Sequence, residues 1–308
     1  MPLGLNQLRV FEAVTRCGSF IKAAERLRVT PPAVSLQIHQ LEEACGARLF
    51  ERLGRRVRLT PLGKMLQSYA ARIFALVSDA EGALEENRGF ENARLRIVAA
   101  ATAAAYYLPP LWSAITRRYP GLHVHLSVEN SQRVRERLLA LEEDIGVVGG
   151  NATHPDLVFI PLVNDPLVVI VARDHPWAKR KTISVKFLQE QKLIFREPGS
   201  ASRALVEERL RAHGISYEPV LEIGSNEVIK RAVEIGSGIG VLSQAVVSRE
   251  VRAGYLWALR VQEPGFSRTL NLAYHRMRER SPLIRAVVDV AGALSKRHAW
   301  RCEDRKTH

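Results

Sequence analysis

The hydrophobic periodicity of this 308-residue chain changes near residue 90, and this change divides the chain into two parts. Before it, apolar residues at helical spacing are separated by glycine and proline. From Arg94 onward, short apolar runs alternate with amphipathic stretches, the pattern of an α/β fold. No apolar run reaches the roughly 18 residues of a membrane-spanning helix, and three scattered cysteines suit a reducing compartment. We therefore expect a cytoplasmic protein with no membrane partner.

Short helices separated by clear breaks are predicted at the start of the chain. They cover residues 5–17, 20–27 and 31–44. Gly18 is a typical helix end, Ser19 can cap the second helix, and Thr30 followed by Pro31 is a typical helix start. The second and third helices have the proportions of a helix-turn-helix.

The third predicted helix has two different faces at 100° per residue. Its apolar face carries Val34, Ile38, Leu41 and Cys45 and is expected to pack on the first helix. The opposite face carries Pro32, Ser35, Leu36 and His39. There Leu36 can contact a thymine methyl group in a DNA major groove, and the Ser35 hydroxyl can bond to a base edge. The alternative is a surface helix with one exposed leucine.

An arginine-rich β-ribbon is predicted over residues 49–59. Arg52, Arg55, Arg56 and Arg58 surround Gly54. This arrangement suits contact with DNA phosphates and the minor groove, although alone it also fits a solvated charged loop. The chain carries 45 Lys and Arg against 32 Asp and Glu, a net +13, which indicates nucleic acid or an anionic membrane as partner. Residues 1–65 hold eleven basic and five acidic residues, so +6 accompanies the helix-turn-helix and favours DNA.

One long helix is predicted over residues 61–88. Its apolar residues recur at spacings of three and four, as in a coiled-coil seam: Leu62, Leu66, Tyr69, Ile73, Leu76, Ala80 and Leu84. One helix cannot bury such a stripe by itself. It either pairs with a second copy or packs on a domain of its own chain, and we favour pairing.

The remaining residues predict strands that alternate with helices. The strands cover residues 95–99, 122–128, 145–148, 157–162, 167–172, 193–195, 219–223, 239–242 and 270–274. The main helices cover residues 109–119, 133–141, 202–213 and 227–235. Several strands are uniformly apolar, as in a parallel sheet buried on both faces. This length of α/β pattern is sufficient for two small lobes.

Polar residues follow several of these strands where helices begin. They are Thr102, Asn130, Ser131, Ser200, Ser202 and Ser225. In two-lobed α/β proteins, free N–H groups at such points favour small anions. Each residue alone is explained by helix capping, but their recurrence in both lobes favours one shared pocket.

The sequence gives no support for catalysis. His123 and His125 share a strand face but lack a third metal ligand at useful spacing. Gly236, Gly238 and Gly240 precede a strand, whereas a dinucleotide fingerprint links a strand to a helix. No nucleophile elbow, phosphate loop or zinc-protease motif is present. We expect no enzymatic activity, cofactor or metal.

The residues from Leu8 to Gly63 closely resemble one family. They include Ala23-Ala24, Leu27, Pro32-Ala33-Val34-Ser35, Gln37-Ile38, Leu41-Glu42, Leu49-Phe50-Glu51-Arg52 and Leu59-Thr60. The stretch is similar to the winged helix-turn-helix of LysR-type transcriptional regulators, and the later part resembles that family's effector domain. The resemblance implies an α+β multidomain protein. Its parts are a winged helix-turn-helix DNA-binding domain (1–60), a linker and dimerisation helix (61–89), a C-terminal two-lobed α/β effector domain of the periplasmic-binding-protein type (90–298) and a basic tail (299–308).

The resemblance also implies function and partners. Such a protein is expected to bind double-stranded promoter DNA sequence-specifically and to respond to a small, anionic metabolite between its lobes. It is expected to form a homo-oligomer, commonly a dimer of dimers, and to act with RNA polymerase. A small-molecule-binding module alone would not explain the helix-turn-helix, and a general DNA-coating protein would not explain the lobes.

The family's site residues can be carried over by position. The DNA contacts fall on Pro31, Pro32, Ser35, Leu36, Arg52, Arg55 and Arg56, to which the helix face adds His39. Many members carry glutamine at the position of Pro31 and arginine at that of Leu36. Both differences shift base recognition here toward thymine methyl groups, His39 and the ribbon.

The effector positions fall on Thr102, Asn130, Ser200, Ser202 and Ser225, next to which Ser131 is included. Alanines surround Thr102 where relatives often carry more hydroxyls or glycine, so this wall of the pocket is expected to be less polar. Residues 196–200 are similar to members that govern sulfur or carbon-fixation genes.

Overall fold

The computed structural model of the protein describes residues 3–53 and 56–296. The chain forms two compact units, residues 1–80 and residues 81–308. The predicted basic tail, 299–308, lies outside the described residues. Within the described ranges, no helix is long and apolar enough to cross a membrane.

The first unit is helical apart from one two-stranded ribbon. Its elements are α1 (Leu5–Cys17), α2 (Phe20–Leu27), α3 (Pro31–Cys45), β1 (Phe50–Leu53), β2 (Arg56–Leu59) and most of α4 (Pro61–Glu86). The two strands pair antiparallel, with Phe50 opposite Leu59. The predicted helices and ribbon are confirmed, close to their predicted ends.

The breaks between these helices arise from neighbouring residues. Gly18 ends α1 in the left-handed region, at φ 60°, and its N–H closes the last helical turn. The Ser19 hydroxyl accepts a hydrogen bond from the Lys22 N–H and caps α2. Pro31 opens α3 as predicted, whereas the Thr30 hydroxyl makes no capping bond.

Helix α4 combines the two arrangements that its apolar stripe allowed. Leu66 is buried in the core of the first unit, with Leu62 and Ile73 packed beside it. The other residues of the predicted seam are exposed: Tyr69, Leu76, Ala80 and Leu84. Part of the stripe therefore packs on its own chain, and the rest is uncovered in a single copy.

The start of α4 approaches the main chain so closely that only glycine fits. A Cβ atom on Gly63 would lie 2.2 Å from the Leu49 carbonyl oxygen and 2.9 Å from Leu59 Cδ2. Thr60 fixes the same junction, since its hydroxyl accepts from the Gly63 N–H (3.0 Å) and donates to the Arg48 carbonyl (2.9 Å). The long helix is thereby joined to the ribbon.

Gly63→Ala is expected to destabilise the first unit by about 1–3 kcal/mol, because the new methyl group must displace the Leu49 main chain. Urea unfolding followed by circular dichroism measures this loss. Gly82→Ala is the matched control in the same helix, since nothing lies within 4 Å of a Cβ there. It is expected to be neutral or stabilising by up to about 1 kcal/mol. Equal losses in both variants would contradict the close-approach argument.

The second unit contains ten strands and six helices in its described part. Its strands are β3 (Arg94–Ala100), β4 (His123–Glu129), β5 (Ile145–Gly149), β6 (Leu157–Ala172), β7 (Thr182–Ile183), β8 (Leu193–Arg196), β9 (Pro219–Ile223), β10 (Ile239–Ser243), β11 (Leu256–Val261) and β12 (Ser267–His275). Its helices are α5 (Pro109–Arg118), α6 (Ser131–Leu139), α7 (Ala201–Ala212), α8 (Asn226–Glu234), α9 (Gln244–Arg252) and α10 (Pro282–Lys296), with a π-helical turn at Ala103–Tyr107.

The long strand β6 belongs to both lobes of this unit. The sheet order is β4-β3-β5-β12-β6-β10-β8-β9, with β11 also paired to β6. In the first lobe, β12 pairs with residues 157–166 of β6. In the second lobe, β10 and β11 pair with residues 167–172. The predicted two-lobed α/β architecture is confirmed, and the lobes share one strand.

Several predictions for this unit are corrected by the structure. The two strands predicted over residues 157–162 and 167–172 are one continuous strand. The elements β11, α9 and α10 were not predicted. The parallel arrangement holds around β3 and β8 but not around β6, whose pairs are all antiparallel. Pro161, Asn164 and Asp165 interrupt the apolar pattern of β6, so the sequence suggested a break, whereas the strand continues through this stretch with a register shift against β12 between Leu270 and Asn271.

A buried carboxylate fixes the first lobe. Asp144 accepts hydrogen bonds from the Arg96 N–H (2.7 Å), Arg96 Nη2 (2.9 Å) and Arg278 Nη1 (2.8 Å). The Arg278 residue is only 1% exposed. Burial raises the pKa of Asp144, but attraction to Arg96 and Arg278 outweighs it and holds the pKa below its ordinary value.

Asp144→Asn is expected to destabilise the second unit by about 3–5 kcal/mol at pH 7, because Arg96 and the buried Arg278 lose the charge of the carboxylate that they share. The folded pKa lies below the unfolded one, so the wild type keeps this stabilisation above about pH 4. It loses the stabilisation as pH falls through the lowered folded pKa. Urea unfolding at a series of pH values should therefore show the two proteins converging on acidification. A constant difference would contradict this assignment.

Candidate functional site

Helix α3 has one buried face and one open face, as its sequence predicts. Val34, Ile38 and Leu41 are buried in the core. On the open face, Leu36 is 55% exposed. We call the exposed residues Pro31, Pro32, Ser35, Leu36 and His39 the α3 face.

The ribbon is fixed to α3 by one carboxylate. Glu42 Oε1 accepts hydrogen bonds from the N–H groups of Leu49 (2.7 Å) and Phe50 (3.2 Å). The Val57 N–H donates to the Gly18 carbonyl (3.2 Å), which attaches the second strand to the end of α1. The ribbon and the α3 face are thus held in one rigid arrangement.

The arginines of the ribbon occupy defined backbone positions. Arg52 lies opposite Val57 in the β1–β2 register, and Arg56 lies opposite Leu53. Arg55 lies outside the described residues. On the α3 face, His39 Nε2 lies 3.3 Å from Glu43 Oε1 on the next turn of the helix.

The predicted effector residues lie at the starts of helices in both lobes. Thr102 follows β3, Asn130 and Ser131 follow β4, Ser200 and Ser202 lie at the start of α7, and Ser225 precedes α8. Four of them are buried: Thr102, Ser131, Ser200 and Ser202. We call these six residues the interlobe site.

Asn130 makes a direct contact between the lobes. Its Oδ1 accepts from the Arg133 N–H (3.0 Å) and caps α6, while its Nδ2 donates to the Pro198 carbonyl (3.3 Å). The Gln132 N–H donates to the Gly199 carbonyl (3.1 Å). Gly199 has φ +88°, and a Cβ there would lie 3.0 Å from Asn130 Oδ1, so glycine permits this approach.

A second contact between the lobes begins at Thr102. Asn226 Nδ2 donates to Thr102 Oγ1 at 3.5 Å, and Asn226 Oδ1 accepts from Arg196 Nη1 at 2.5 Å. Arg196 also donates to both carboxylate oxygens of Glu197, at 2.8 and 2.9 Å. A hydroxyl of the first lobe is thereby connected to a buried guanidinium of the second.

The start of α7 approaches the end of β5. The hydroxyls of Ser200 and Ser202 lie 3.0 Å apart. A Cβ on Gly149 would lie 3.3 Å from the Cβ of Ala201. The Ser225 hydroxyl accepts a hydrogen bond from the Val228 N–H at 3.5 Å and caps α8. Helix capping is the alternative to effector binding that the sequence allowed for such a residue. Ser200 occupies the N-cap position of α7 but makes no capping bond.

A charge cluster in the middle of β6 was missed by the sequence reasoning. Asp165 is 0% exposed, and its carboxylate accepts from the hydroxyls of Tyr107 (2.9 Å) and Ser243 (2.5 Å) and from Arg268 Nε (3.0 Å). Tyr107 belongs to the first lobe, and Ser243 ends β10 in the second. The available signal was one aspartate in an apolar run, and its partners lie 58 to 103 residues away.

Arg135 supplies a further cation beside the interlobe site. Its Nη2 donates to the carbonyls of Gly149 (3.1 Å) and Asn151 (2.9 Å) and would lie 3.8 Å from a Cβ on Gly150. That built Cβ would also lie 3.4 Å from Ala201 of the second lobe. Burial lowers the pKa of the Arg135 guanidinium. Within residues 3–53 and 56–296, no carboxylate forms an ion pair with it.

The interlobe site consists of hydroxyl groups and one amide, with the Arg135 and Arg196 guanidinium groups beside it. In the part of the chain that the structure describes, no three histidine, cysteine or carboxylate side chains are grouped to hold a metal ion. His123 and His125 lie on β4, at the end of the sheet.

A winged helix-turn-helix followed by a two-lobed α/β unit with a polar interlobe site defines a transcriptional regulator that responds to a small molecule. Residues 5–64 match the model of the bacterial regulatory helix-turn-helix protein, lysR family, and residues 88–295 match that of the LysR substrate binding domain. The chain therefore belongs to the LysR family of transcriptional regulators. The resemblance, fold class and function predicted from the sequence are confirmed.

Individual relatives agree with this membership. The RuBisCO operon transcriptional regulator of Acidithiobacillus ferrooxidans is 33% identical over 291 residues, which cover 94% of each chain. A full-length OxyR variant from Pseudomonas aeruginosa has a TM-score of 0.75 at 25% identity, over 94% of this chain and 95% of that one. The CcmR regulatory domain of Synechocystis PCC6803 in complex with 2-PG has a TM-score of 0.61 at 33% identity, over 66% of this chain and 97% of that one.

Proposed function

We propose that this regulator binds double-stranded promoter DNA through the α3 face and the ribbon. The proposed contacts are Pro31, Pro32, Ser35, Leu36, His39, Arg52, Arg55 and Arg56. One observation carries the proposal: Leu36 is exposed on a helix whose opposite face is buried. Leu36 suits a thymine methyl group and Ser35 a base edge, while the ribbon arginines suit phosphates.

Ser35→Ala is expected to weaken binding to promoter sites by about three- to tenfold, because it removes one hydrogen bond to a base. Binding to random duplex DNA should stay within about twofold. Arg55→Ala should weaken both and lower the salt slope by about 1, because phosphate contact carries no sequence information. Fluorescence anisotropy at several salt concentrations measures these effects, with promoter sites first mapped genome-wide.

Ser68→Ala is the matched control, because Ser68 is an exposed serine on α4 whose hydroxyl donates to the Met65 carbonyl. It should leave both affinities unchanged. Equal losses on promoter and random DNA for Ser35→Ala and Arg55→Ala would overturn the assigned contacts.

We further infer that the effector is a small anionic metabolite held in the interlobe site by Thr102, Asn130, Ser131, Ser200, Ser202 and Ser225. The supporting observations are that both lobes contribute buried hydroxyls, and that a Cβ built on Gly150 would lie 3.8 Å from the Arg135 guanidinium and 3.4 Å from Ala201 at the start of α7. Arg135 itself bonds to carbonyl oxygens. A carboxylate or phosphate supplies the balancing charge and accepts from the hydroxyls. The complex of CcmR with 2-PG supports this class of ligand.

Thr102→Val is expected to weaken binding of 2-phosphoglycolate about tenfold, since it removes a buried hydroxyl donor to a charged group. Isothermal titration calorimetry of the full chain measures the dissociation constant. Thr116→Val is the control, because the Thr116 hydroxyl bonds within α5, to the Trp112 carbonyl. Undiminished binding by Thr102→Val would move the pocket elsewhere.

We also propose that the protein acts in the cytoplasm as a homo-oligomer, a dimer of dimers, at promoters where RNA polymerase binds. The uncovered stripe of α4, with Met65, Tyr69, Leu76 and Leu84 exposed, is the proposed pairing surface. Closure of the lobes on the effector then changes the arrangement of the paired DNA-binding ends.

A further inference from the structure

A carboxylate of the protein itself lies beside the interlobe site. Arg196, at the end of β8, donates from Nε and Nη2 to the two oxygens of Glu197, at 2.8 and 2.9 Å. This is the parallel two-bond arrangement that a guanidinium forms with any carboxylate or phosphate. Glu197 is the next residue in the chain, so the two groups are always at high local concentration.

The guanidinium also faces the other lobe. Its Nη1 donates to Asn226 Oδ1, and the amide of Asn226 donates to Thr102 Oγ1. Thr102 is one of the buried hydroxyls proposed to hold the effector. An oxyanion bonded to Arg196 in place of Glu197 would therefore lie at the contact between the lobes.

The two partners differ in how easily they can leave. The Arg196 side chain is 7% exposed, whereas that of Glu197 is 25% exposed. A guanidinium this buried is costly without a counter-charge. The Glu197 carboxylate, in contrast, is already partly in contact with solvent, and rotation of its side chain toward solvent hydrates it fully. In this pair the Glu197 carboxylate can therefore be exchanged for another anion, whereas the Arg196 guanidinium stays in place.

We propose that Glu197 is an internal competitor of the effector: its carboxylate occupies Arg196 until an incoming oxyanion displaces it. This inference rests on the proposed binding of an anion between the lobes. The ligand that it fits is a molecule with a carboxylate or phosphate group, whose oxygens can accept both of the bonds that Arg196 now makes with Glu197. Because Arg196 also bonds to Asn226, the contact from Arg196 through Asn226 to Thr102 then depends on whether an anion is bound in place of Glu197.

Glu197→Gln is the test, because glutamine keeps the size of the side chain and removes its charge. The affinities of the full chain for 2-phosphoglycolate and for inorganic phosphate are measured by calorimetry. Both are expected to rise at least about fivefold over wild type, since the bound anion no longer competes with a charge in contact with Arg196. Glu197→Ala should show the same rise, and thermal melting without ligand verifies that each variant is folded.

Glu222→Gln is the matched control for general charge. Glu222 pairs with Arg203 Nη2 at 3.0 Å, whereas the Arg196 guanidinium bonds to Glu197 and Asn226, so the loss of the Glu222 charge should change affinity less than about twofold. Equal affinities of wild type and both Glu197 variants would overturn the inference about Glu197 without contradicting the proposed anion site between the lobes. An equal rise for Glu222→Gln would also overturn it, in favour of general electrostatics. If neither wild type nor any variant binds 2-phosphoglycolate or inorganic phosphate, the proposed anionic effector is refuted, and the inference with it.

Discussion

The second unit, which contains the two lobes, depends on the single strand β6 that both lobes share. Because β6 pairs with β12 in the first lobe and with β10 and β11 in the second, neither sheet is complete without it. Asp165 lies in its middle, fully buried, and is satisfied by Tyr107, Ser243 and Arg268. A buried carboxylate is costly unless all its partners are present. This requirement joins the lobes at Asp165, in addition to the contacts that Asn130 and Thr102 make between them.

Charge compensation distinguishes the cations near that point. Arg268 is neutralised by a carboxylate that has no access to solvent, and Arg196 by one that is partly exposed. Arg135 bonds to carbonyl oxygens and, within the described residues, forms no ion pair. The first of these cations has a structural function, the second has a partly exposed partner, and the third contributes unbalanced positive charge. These differences suit the anionic effector proposed for the contact between the lobes.

The DNA-binding unit is built mainly from contacts of short range, so its sequence predicts it well. Helix ends at Gly18 and Ser19 depend on adjacent residues, and the two faces of α3 follow from 3.6-residue periodicity. The exceptions are residues whose partners lie further away along the chain. Glu42 positions the ribbon, and Gly63 admits the close approach of α4, yet neither residue differs in local pattern from a surface glutamate or a helix glycine.

The sequence by itself determined the division into two parts, the helix-turn-helix, the α/β pattern and the polar residues at helix starts. These features arise from hydrophobic period, capping and charge, which neighbouring residues encode. Only the tertiary structure decided that residues 157–172 form one strand, that α4 packs only part of its stripe on its own chain, and that Arg196 is paired with Glu197 and reaches Thr102 through Asn226. Most of these outcomes depend on partners tens to more than a hundred residues apart, and even the pairing of the neighbours Arg196 and Glu197 depends on how the two side chains pack. Burial and charge compensation between such partners are settled when the chain packs, and local pattern carries no record of them.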